Sequence, residues 1–141
     1  MKQHPLAANL NRLQNINNIY QNDALRVLCV CSAGLLRSPT LAHILQCKPY
    51  NFNCRAAGVD TSHALIPVDE ALLKWAGLII CVDKFSSLST KRLLAEFNIQ
   101  TPLIELDVPD RYSRNDPKLI KAIKSELKRA NEDIYQLKET E

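Results

Sequence analysis

No stretch of roughly 18 apolar residues, the length a membrane-spanning helix needs, occurs in this chain of 141 residues, and no signal peptide is expected at its start. No internal repeat or low-complexity tract is found. Charge of one sign is also scarce. Lys and Arg number 18 against 15 Asp and Glu, for a net +3 and a pI near 8.6. So small an excess favours a small anionic ligand or a phosphopeptide and gives no ground for nucleic acid as a partner. The five cysteines are odd in number and scattered through apolar segments, which suits a reducing cytoplasmic location better than a disulfide framework. No pair has zinc spacing, since one residue separates Cys29 from Cys31, and no metal or other cofactor is expected. Hydrophobic content of 46% with 23% charged residues is that of a globular domain, long enough for a real core.

The stretch that organises the chain is Arg26 to Thr40, RVLCVCSAGLLRSPT. Val27-Leu28-Cys29-Val30 reads as a buried strand. Cys31 to Arg37 forms a tight loop, and Ser38-Pro39 leads into a helix through Thr40-Leu41-Ala42-His43-Ile44-Leu45. Strand, loop and helix N-terminus in that order make an anion site, because the first helical N–H groups have no partner within the helix. Pro39 suits an early helical position, and Gly34 tolerates the positive φ that a cradle of amides needs. A thiol at Cys31, near a helix N-terminus and the Arg37 guanidinium, is favoured as thiolate. Arg37 offers a planar fork to two phosphate oxygens, and Ser38 is placed to hydrogen-bond the sulfur. Such a set suits attack by sulfur on a tetrahedral oxyanion.

Val30-Cys31 followed by Arg37-Ser38-Pro39 resembles the phosphate loop of the low-molecular-weight protein tyrosine phosphatases, V-C-x-G-N-x-C-R-S-P. Cys31, Arg37, Ser38 and Pro39 match. Ala33 stands in place of Gly, Gly34 in place of Asn, and Leu36 in place of a frequent second Cys. The family Asn takes a left-handed conformation, which a glycine at position 34 can adopt without strain. The resemblance implies a phosphocysteine intermediate on Cys31, with Arg37 and the loop residues Ser32, Ala33, Gly34, Leu35 and Leu36, together with Ser38, around the phosphoryl group.

The rest of the chain alternates strands and helices. Leu6, Leu10, Leu13, Ile16 and Ile19 step as an amphipathic helix, an extension over residues 1–24 ahead of a domain over 25–141. Phe52 to Gly58 reads as a second strand, Pro67 to Ala76 as a short helix with Trp75 in the core, and Leu78 to Val82 as a doubly covered third strand. Asp83 is expected to cap a helix over Lys84 to Phe97, Pro102 to Leu106 to form a fourth strand, and Asp116-Pro117 to start a long final helix. This is an α/β pattern of βαβ units on a parallel sheet. The resemblance adds the strand order 2-1-3-4, and a ligand would then lie at the carboxyl ends of the strands, beside the first.

The family also uses an Asp as acid, in a D-P-Y segment after the fourth strand. Here the segment is Leu106-Asp107-Val108-Pro109-Asp110-Arg111-Tyr112. Aligning on the aromatic places Asp110 at the acid position, with Tyr112 as a wall of the pocket and Asp107 as the rival acid. The family's longer segment between strands two and three, with its aromatic wall, is missing, so the cleft should be more open on that side. His63 lies in a loop that could face the site, but a solvated histidine is the plainer reading. The implied function is a phosphomonoester hydrolase of protein tyrosine phosphatase type, acting on a phosphorylated protein or a small phosphomonoester. Arsenate reduction and phosphoprotein binding without turnover are the alternatives.

Overall fold

The computed structural model describes residues 24–32, 37–60, 62, 64–113 and 116–139. The expected N-terminal helix, His63 and the loop residues Ala33, Gly34, Leu35 and Leu36 lie outside them. The described chain runs β1 (Arg26–Cys31), α1 (Arg37–Gln46), β2 (Asn53–Gly58), α2 (Glu70–Trp75), β3 (Leu78–Cys81), α3 (Lys84–Glu96), β4 (Leu103–Glu105) and α4 (Pro117–Glu139). The four strands form one sheet in the order β2-β1-β3-β4, every pair parallel, as expected. No described helix is long and apolar enough to cross a membrane.

Alternation along β1 sorts the core onto two faces. Val27, Cys29 and Cys31 point to one side, where Leu41 and Leu45 of α1 and Leu119, Ile123 and Leu127 of α4 cover them. Leu28 and Val30 point to the other, against Leu72 and Leu73 of α2 and Leu94 of α3. Both faces of β1 and β3 are therefore buried, which is why those strands read as unbroken apolar runs. Full burial of each such side chain contributes about 1.5–3 kcal/mol.

The helix starts follow the local chemistry. Asp69 accepts from the Leu72 N–H at 2.9 Å, so α2 begins at Glu70 rather than at Pro67, whose backbone instead bridges to Gly58. Asp83 and Ser86 form a capping box on α3, with the Ser86 N–H donating to Asp83 at 2.8 Å. Asp116 accepts from the Lys118 N–H at 2.8 Å just ahead of Pro117. Trp75 packs against the core at its edge rather than inside it. It is half-buried, with the Arg55 guanidinium carbon 4.0 Å from its ring centroid and that of Arg26 at 6.0 Å.

Candidate active site

The chain reverses direction across the sheet after β2, so the crevice beside β1 and β3 at their carboxyl ends is the expected ligand position. Cys31 is the last residue of β1 and lies there, 3% exposed. The backbone leaving β1 is tied to the exit of β2. The Val59 N–H donates to the Cys31 carbonyl at 3.0 Å, and the Asp60 N–H donates to the Ser32 carbonyl at 2.7 Å.

Arg37 and Ser38 belong to the first turn of α1, both buried, so the helix begins at the arginine rather than after Pro39. The Cys31 thiol donates to Ser38 Oγ at 3.1 Å, and that hydroxyl donates to the Ala57 carbonyl at 3.4 Å. Arg37 Nη1 donates to Asp83 Oδ2 at 2.6 Å and to the Val108 carbonyl at 2.9 Å. Both hydrogens of that nitrogen are thereby used. Arg37 Nε lies 3.7 Å from Asp110 Oδ1, beyond hydrogen-bond reach. Among the described residues no hydrogen bond takes Nε or Nη2, which together form the edge that meets two phosphate oxygens side by side.

Asp83 and the Val108 carbonyl are contributors that the sequence did not reveal in this role. Asp83 shows as a helix cap, but its second oxygen also aims the guanidinium, 46 residues away in sequence. Burial pushes its carboxyl up, yet the Ser86 N–H and hydroxyl and the Arg37 guanidinium outweigh that and hold it below the ordinary carboxylate value. Stability from this group is complete above the unfolded value of about 3.9 and is lost as pH falls below that, through the lower folded value. The gap in thermal midpoint between the parent and Asp83→Asn should therefore be widest above about pH 5 and narrow steadily toward pH 2. A gap constant over that range would show that Asp83 is not the linked group.

The two candidate acids are placed differently. Asp110 is exposed and faces the Arg37 guanidinium. Asp107 is exposed as well, and its N–H donates to Glu126 Oε1 of α4 at 2.8 Å. Tyr112 is half-buried against the core beneath β1, and its hydroxyl accepts from Arg111 Nε at 3.3 Å and Nη2 at 3.2 Å. The remaining cysteines form no disulfide. Burial pushes the Cys81 thiol up to about 12. Burial, then the neighbouring Cys54 thiol, raise Cys29 as well. Cys47 is exposed, just past the far end of α1. Among the described residues no group of His, Cys, Asp and Glu could hold a metal ion.

No protein-family model matches the chain, and no curated protein matches its sequence. Solved structures do superpose on it. Wzb of Vibrio vulnificus, solved in complex with benzylphosphonate, matches with a TM-score of 0.58 at 16% identity, over 79% of this chain and 98% of that one. A low-molecular-weight phosphotyrosine phosphatase of Vibrio cholerae, VcLMWPTP-2, gives 0.55 at 19% identity, over 79% and 97%. A mutant of YwlE from Bacillus subtilis gives 0.55 at 17% identity, over 82% and 99%. The likeness at these identities is one of backbone arrangement, and the arrangement is the fold of the low-molecular-weight phosphotyrosine phosphatases.

Proposed function

We propose that the chain is a cysteine-dependent phosphomonoesterase acting on aryl phosphates, with phosphotyrosine in a polypeptide as the substrate class. The observation that carries this reading is the convergence of Cys31, Ser38 and a guanidinium aimed by Asp83 at the carboxyl end of β1. Cys31 attacks phosphorus as thiolate, steadied by the Ser38 hydroxyl turned to donate to it. The Nε and Nη2 edge of Arg37 and the loop amides hold the phosphoryl oxygens as charge develops. Asp110 gives its proton to the departing phenolate, leaving a phosphocysteine. The Asp110 carboxylate then takes a proton from water as the water oxygen attacks phosphorus, which releases inorganic phosphate and restores the thiolate.

Two further features support an aromatic, polypeptide-borne substrate. Leu65 follows β2, and Phe85 and Leu88 lie in the first two turns of α3. All three are exposed large apolar side chains on segments that leave the carboxyl end of the sheet. The structural relative Wzb was solved with benzylphosphonate, an anion on an aromatic body. The five unbridged cysteines suit a reducing, cytoplasmic setting, which a catalytic thiolate also needs. Arsenate reduction draws no support from Cys29 and Cys81, whose buried thiols are pushed up in pKa.

The reading is tested with two leaving groups. The parent should hydrolyse both phenyl phosphate and p-nitrophenyl phosphate. Asp110→Asn should lower kcat/KM, which reports the transfer to sulfur and not the later hydrolysis common to both esters, by about 10²-fold or more for phenyl phosphate and by less for p-nitrophenyl phosphate, whose leaving group needs less help from a proton. No hydrolysis of either ester by the parent would sink the enzyme reading and favour phosphoprotein binding. An equal loss on both esters would remove Asp110 from the acid role.

A further inference from the structure

A second concave site lies at the opposite end of α1 from Arg37. It is a cleft of about 290 Å³ between the C-terminal turn of α1, the segment that follows it, and one face of α4. Three lysines line it, Lys48, Lys124 and Lys128. Ile44 and Leu127 supply apolar wall. The Tyr50 hydroxyl donates to Asn131 Oδ1 at 2.8 Å, which leaves the Asn131 amide N–H groups as its remaining polar function. Among the described residues no carboxylate lines the cleft.

The ordinary uses of these lysines are already taken by other groups. A cation past the C-terminus of a helix commonly satisfies its last carbonyls. Here the Ile44 carbonyl accepts from the Cys47 N–H at 3.1 Å, and the Leu45 carbonyl from the Phe52 N–H at 2.9 Å. The Cys47 carbonyl accepts from Tyr50 and Asn51. Nor does any of the three pair with a carboxylate among the described residues. Glu126, the acid nearest in sequence, is turned away, where it binds Arg129 and the Asp107 N–H. Lys124, Leu127, Lys128 and Asn131 share one face of α4 at three- and four-residue steps. A like-charge pair four apart on a helix is unfavourable by itself, and here it faces a cavity in which the described residues offer no counter-charge.

We infer that this cleft binds a small organic polyanion, with two or more phosphate charges on a ring-bearing body, the chemistry of a nucleoside diphosphate. The lysines and the Asn131 amide meet the charges, and Ile44 and Leu127 meet the body. The inference stands apart from the proposed activity. The ten residues of α1 span about 15 Å, so one ligand of this size does not reach both places.

The test is titration of the ¹⁵N-labelled full chain with ADP in one arm and pyrophosphate in the other, at about 0.15 M salt so that loose surface attraction is screened. ADP should shift amides in 44–50 and 124–131 and bind more tightly than pyrophosphate. Lys124→Ala combined with Lys128→Ala should weaken ADP about tenfold or more and leave p-nitrophenyl phosphate hydrolysis unchanged. Shifts confined to residues near Cys31 and Asp83, equal affinity for the two probes, or the same ADP affinity in the double variant would each overturn the assignment.

Discussion

Cys31→Ser should abolish p-nitrophenyl phosphate hydrolysis, lowering kcat by about 10⁴-fold or more, while the thermal midpoint stays close to that of the parent. The two halves of this result have separate causes. A serine hydroxyl at neutral pH is not ionised, and it holds its proton far more tightly than a thiol does. The Ser38 hydroxyl, 3.1 Å from the sulfur, accepts a hydrogen bond from the thiol but is too weak a base to take its proton. The fold should persist because the change is nearly isosteric and the new hydroxyl donates along the same line to Ser38. Residue 31 also keeps its backbone tie to Val59. Turnover retained within tenfold of the parent, measured on protein whose circular dichroism matches it, would mean that sulfur is not the nucleophile.

Arg37→Lys should lower kcat/KM by about 10²–10³-fold. Lysine keeps the charge, so the loss isolates geometry. The guanidinium does two things at once: Nη1 is anchored by Asp83 and Val108, and the opposite edge stays available for the phosphoryl oxygens. An ammonium drawn to Asp83 has no second planar edge to offer. Steady-state kinetics with p-nitrophenyl phosphate would show the loss, and thermal unfolding would separate it from a folding defect. Parent-like kcat/KM in a destabilised variant would make Arg37 a structural ion pair rather than a phosphate ligand.

The fold was largely legible because its signals are local. Buried parallel strands show as apolar runs, and Asp83 and Asp116 announce the helices they cap. The start of α2 was misplaced because Pro67 resembles a first helical residue, while the cap two residues later fixes the true start. The Cys31, Arg37 and Ser38 cluster was legible for the same local reason, being contained in eight residues. What holds Arg37 was not. Asp83 and Val108 come from the ends of other strands, 46 and 71 residues away, and no pattern in either segment marks them as partners of a guanidinium. That Trp75 packs at the edge of the core, under Arg26 and Arg55, was not legible, because those two arrive from β1 and β2 through a register that no short stretch of sequence encodes.

Asp83 has one carboxylate and two duties. One oxygen opens α3 through Ser86, and the other fixes the direction of Arg37. The first turn of that helix therefore cannot fray without loosening the arginine. A change at Ser86, which touches Asp83 and not the arginine itself, would therefore surface as poorer turnover as well as a less durable protein.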